Sequence, residues 1–168
     1  MNYPKPVIGN RRLRVNSGHC NLIVGEPASH IRKYPVNSFL IESAENQAAL
    51  ELTSLDERFF QATLRSRGAS GTTKVIKYMS QGLAPLFEYF SANWKGWQGS
   101  KNWKSLEGEL SISARSDSLG HVFLDVSLRD GAPAKWILQT SMMLEAGGLP
   151  KLAASARQFE ENVLAGGQ

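Results

Sequence analysis

Cysteine is almost absent from this chain: Cys20 stands alone in 168 residues, so no internal disulfide can form and a disulfide-held secreted scaffold is excluded. Histidine is scarce as well. His19, Cys20 and His30 are the only metal-type cluster, short of the about four ligands that a tetrahedral zinc site needs, and no metal or cofactor is expected. No stretch approaches the ~20 apolar residues of a transmembrane helix. The opening MNYPKPVIGN is interrupted by Lys5 and Pro6 before any apolar signal region can build. The expected location is cytoplasmic, with no membrane partner. A G-x-S-x-G elbow and an S-x-x-K pair are missing too, and Gly68–Gly71 lacks the flanks of a phosphate loop although Lys74 follows. No catalytic residue is therefore assigned, and no internal repeat is visible.

What is present describes a folding chain. Hydrophobic residues make up 42% and charged residues 20%, ordinary values far from those of disordered segments. The length suits one core. The charge is uneven: residues 1–36 carry Lys5, Arg11, Arg12, Arg14, Arg32 and Lys33 against Glu26, whereas the remainder is nearly neutral. We expect a basic, mostly irregular arm over 1–36, with one short strand at Asn21 to Val24, and a single domain over 37–168. Such an arm could serve phosphate backbones or an acidic surface, and its plainer reading is a solvated terminus.

Hydrophobic periodicity defines the elements. Phe39–Ile41 and Ala49–Leu52 read as two strands. Arg58–Arg67 alternates with Phe60, Ala62 and Leu64 on one side, turns at Gly68–Gly71 and continues as a strand over Thr72–Met79. Leu83, Leu86, Phe87, Phe90 and Trp94 recur at helical spacing, with Ser80 as N-cap, a start near Gly82, Pro85 in the first turn and an end before Gly96. Gly96–Lys104 reads as a connector. Three alternating runs follow as a meander: Glu109–Arg115, His121–Arg129 and Trp136–Glu145. A last helix carries Leu149, Leu152, Ala153, Ala156, Phe159 and Val163 on its apolar side. The expected class is α+β, an antiparallel sheet of N-terminal strands, hairpin and C-terminal meander with two helices on one face.

Several residues invite chemistry. His121 and Asp125 share a strand face, but four residues of strand separate them by about 13 Å, too far for a dyad. Trp94, Trp97 and Trp103 lie within ten residues, among Lys95, Lys101 and Lys104. Such rings either plug the end of the core or present stacking surface to a partner. The outward row of the meander, Ser111, Ser113, Arg115, Ser127, Arg129, Gln139 and Ser141, is polar and suited to hydrogen-bonded recognition. The candidate binding residues are Trp97, Trp103, Lys101, Arg115, His121 and Arg129.

The segment Gly96–Trp97–Gln98–Gly99, then Trp103, Ser105–Leu106–Glu107–Gly108–Glu109–Leu110 and Gly120–His121–Val122–Phe123–Leu124 resembles the bacterial family called domain of unknown function 6228. The likeness runs from about Phe59 to Phe159 and implies no reaction, because that family has none assigned. The order of elements, with Leu86–Phe87–Tyr89–Phe90 before a meander and a last helix, also looks like the WapI-type immunity proteins. That likeness implies a small cytoplasmic protein that works by binding a toxin-like protein partner. The first 58 residues carry neither resemblance. The leading expectation is thus a non-catalytic binding protein of immunity or toxin-associated type. The alternative is a small anion or nucleic-acid binding domain that uses the basic arm and the Trp/Lys connector, with affinity falling steeply in salt.

Overall fold

The computed structural model describes residues 37–77, 82–131 and 133–165. The basic arm with its strand at Asn21 to Val24, the cluster His19, Cys20 and His30, and the cap at Ser80 lie outside the described residues.

Among the described residues eight strands pair antiparallel throughout. Strands β1 (Ser38–Glu42), β2 (Ala49–Ser54), β3 (Phe59–Ser66) and β4 (Ala69–Ile76) form one sheet in chain order. Helix α1 (Ala84–Ala92) separates them from a second sheet of β5 (Lys101–Lys104), β6 (Leu110–Ser116), β7 (Val122–Arg129) and β8 (Ile137–Leu144). A short 3-10 turn at Ala146–Gly148 then leads into α2 (Leu149–Ala165). The α+β class holds, with the strands divided between two sheets.

Period-two alternation does the local work. Along β7, Val122, Leu124, Val126 and Leu128 are buried while Phe123 and Asp125 between them are exposed, and β6 buries Leu110, Ile112 and Ala114 in the same manner. The first hairpin turn is tighter than the four-residue Gly68–Gly71 cluster suggests. Ser66 pairs with Ala69, so the turn is Arg67–Gly68, and Gly68 supplies the positive φ of 79° that it requires. β4 therefore begins inside the glycine cluster. Gly71 lies within the strand because a Cβ there would stand 2.8 Å from the Trp136 ring.

The core is one cluster. From the first sheet, Phe39 and Phe60 meet Phe87 of α1 and Phe159 of α2, with Phe39–Phe87 and Phe60–Phe159 edge to face at 5.2 and 6.0 Å. Each such ring contributes about 1.5–3 kcal/mol by leaving water, and a good aromatic pair about 0.5–1.5 more. The buried faces of β6 and β7 join the same cluster.

The two sheets also meet through polar groups, at the outer edge of β8. The Ala44 amide donates to the Met143 carbonyl (2.8 Å), the Met143 amide to Ser43 Oγ (3.1 Å), and Asn46 Nδ2 to the Ser141 carbonyl (3.0 Å). The β1–β2 turn thus closes an edge that would otherwise offer unpaired backbone groups.

Candidate functional site

The strand register lays two transverse rows of polar side chains across the outward face of the second sheet. Asn102, Ser113, Asp125 and Ser141 are cross-strand partners in sequence, and Lys104, Ser111, Ser127 and Gln139 form the next row. At about 4.8 Å between strands, each row spans roughly 14 Å. All eight line a depression of about 710 Å³. Four of the eight are serines, so the floor is shallow-sided and rich in hydroxyls close to the backbone.

Hydrogen bonds fix part of this floor. Ser141 Oγ donates to Asp125 Oδ1 at 2.7 Å, and Arg115 Nη2 approaches Asp125 Oδ2 at 3.3 Å. The Arg115–Asp125 pair is exposed, so solvent screens it and it contributes little to stability. At opposite ends stand two exposed apolar side chains, Phe123 and Ile137, which pair with Met143 and Arg129 respectively.

The six residues singled out from the sequence fall into four places. Arg115 and Arg129 lie on the outward face, as the alternation predicts. Arg129 Nη2 donates to the Glu107 carbonyl, while its Nε is enclosed and finds no acceptor among the described residues. Trp97 and Lys101 gather instead around α1. The Trp97 ring stacks on Phe90 at 5.1 Å and meets Tyr89 edge on at 5.6 Å, and Lys101 Nζ sits 4.4 Å from the centre of the Tyr89 ring. Trp103 is a correction as a surface residue. It points inward from β5 at 5% exposure, so its ring offers a partner no stacking surface. These placements weaken an anion site built on the connector, because one ring is buried and Lys101 is already occupied by Tyr89.

His121 sits just before β7 and turns to Asp117, not toward Asp125. Its Nδ1 lies 2.8 Å from Asp117 Oδ2, and Asp117 Oδ1 also accepts from the Leu119 and His121 amides at 2.9 Å each. The His121 ring first, then those amides, hold the Asp117 carboxyl below its ordinary value, outweighing partial desolvation. The arrangement is the lock of the β6–β7 turn.

Two corrections concern the connector. Lys101–Lys104 is a strand, with Lys101 and Trp103 turned inward and Asn102 and Lys104 outward, which adds two residues to the polar face. Trp94 is 53% exposed and is not part of the helix's apolar stripe, because α1 ends at Ala92 and Asn93 leaves helical geometry at φ −110°, ψ 36°.

Against known families, one model matches, described as a family of unknown function (DUF6228), over residues 41–163. The chain belongs to this family. The DUF6228 match covers most of the β1–β2 pair as well as everything from Phe59 to Phe159, and so includes the whole polar face. No curated protein and no solved structure matches the chain. Among the described residues of this DUF6228 member, no helix is long and apolar enough to cross a membrane.

Proposed function

We propose that this protein is a non-catalytic binding protein of immunity or toxin-associated type, which recognises a protein partner through the outward face of β5–β8. One observation carries the reading: two cross-strand rows of polar side chains, four of the eight being serines, floor a depression of about 710 Å³. An ordinary solvated sheet face carries long, mobile charged residues, whose ordering on binding costs about 0.5–1.5 kcal/mol each. Serines avoid most of that cost and allow a partner to approach the backbone. Hydroxyls, amides and the Asp125 carboxylate provide both donors and acceptors, which suits a polar and hydrated interface. Phe123 and Ile137 add an apolar contact at either end.

The test is capture from an extract of the native cells by the tagged full-length chain and its Ser127→Arg variant, with folding of both verified by thermal unfolding. Ser127 is central to the face, so the long side chain fills the floor without touching the core. Wild type is expected to retain one dominant protein that the variant loses. Equal recovery by both would overturn this choice of surface.

A further inference from the structure

At one end of the polar face two cations make no ion pair among the described residues. The carboxylate of the face, Asp125, is already answered by Arg115 and Ser141. The two cations lie at the β5–β6 loop, whose own carboxylates are Glu107, which is exposed, and Glu109, which accepts from Ser105 Oγ at 2.6 Å. Lys104 Nζ and Arg129 Nη2 each lie 3.0 Å from the point where a Cβ on Gly108 would stand, so they converge over that glycine. The acceptor for Arg129 is a neutral carbonyl, that of Glu107, and its Nε is enclosed without one. Two like charges held this close, one of them partly withdrawn from water, repel each other and favour an anion between them. Gly108 has the left-handed φ of 73° that suits glycine, and the two cations pack over it. Ser111 is the cross-strand neighbour of both Lys104 and Ser127.

We infer that Lys104 and Arg129 form a carboxylate subsite, which receives an acidic side chain of the protein partner that docks on this face. The inference rests on the proposed function above and adds the chemistry of the partner. A planar carboxylate can bridge the ammonium and the guanidinium with two charge-assisted hydrogen bonds, while an acidic segment aligned with the rows places its backbone over the serines. The rest of the face holds its own ionic balance, so an acidic group is selected at this end only.

Backbone amide NMR of the full-length chain tests this, with hexaglutamate, hexaglutamine and inorganic phosphate as probes at about 0.15 M salt. Hexaglutamate is expected to shift Gly108, Ser111, Ser127 and Arg129, hexaglutamine to leave them in place, and Lys104→Gln to weaken the hexaglutamate response roughly tenfold. Shifts located elsewhere, or an unchanged response in Lys104→Gln, would overturn the subsite. A response to phosphate without one to hexaglutamate would overturn the acidic segment in favour of a phosphate ligand. Capture separates the two levels: loss in Ser127→Arg but not in Lys104→Glu rejects this subsite and leaves the binding face standing, whereas retention in Ser127→Arg rejects the face itself.

Discussion

Glu160, three turns into the last helix, accepts a hydrogen bond at 2.9 Å from the amide of Ala84, the first residue of α1. One helix therefore caps another. Leu83 occupies the N-cap position and offers no side-chain acceptor, so the carboxylate supplies what Ser, Asp or Asn usually does and places negative charge at the positive end of the helix dipole. Gly82 allows the approach, since a Cβ there would lie 2.7 Å from Glu160 Oε2. Replacing Glu160 with Ala should lower unfolding free energy by about 1 kcal/mol, and Glu160→Gln by less, as read by denaturant titration. The nearby Arg157–Glu88 pair at 2.6 Å links the same helices but is exposed, so Arg157→Ala should change stability little.

Gly71 and Trp136 form a second interlocking contact, with the indole filling the place of a side chain on β4. Gly71→Ala should cost about 1–3 kcal/mol through overpacking. Combining it with Trp136→Leu should cost less than the sum of the single changes, because the colliding ring is gone. Full additivity in a double-mutant cycle would contradict the contact.

Asp117 predicts a pH dependence. Its carboxyl is held below its ordinary value of 3.8 in the folded state. A group with a lowered folded pKa contributes stability that is complete above its unfolded value and lost as pH falls through the folded one. The stability gap between wild type and Asp117→Ala should thus narrow as pH drops below 3.8. A gap that kept its full size well below that pH would refute the turn lock.

Trp97 should behave as a packing residue. Its ring stacks on Phe90 at 5.1 Å, so Trp97→Ala should destabilise by about 3–5 kcal/mol and Trp97→Phe by much less. Loss of binding in Trp97→Ala would then report damage to the fold, and variants on the polar face are the informative ones.

Much of this was legible in the sequence, and the exceptions have physical causes. Strands β6, β7 and β8 announce themselves because apolar and polar residues alternate over seven or eight positions. β5 is four residues long with a single large apolar side chain, Trp103, so its alternation falls below what a connector can show by chance. Reading β5 as a connector hides Asn102 and the outward direction of Lys104 beside Arg129. The helical stripe extended too far for the same kind of reason: Trp94 has the right spacing, but only the chain's departure at Asn93 decides that it faces water. Division into two sheets depends on contacts between residues far apart, such as Ser66 with Thr140 at 3.1 Å, and no local period records them. The partner of His121 stays hidden for a related reason, since strand spacing rules out Asp125 but cannot show that the turn folds Asp117 back onto the ring.

The most direct test of the binding face is cross-saturation NMR of the labelled chain bound to its captured partner. The account predicts saturation transfer to the amides of Ser111, Ser113, Ser127 and Gln139. Transfer confined to the first sheet, or to the surface around Trp94 and Leu119, would contradict it.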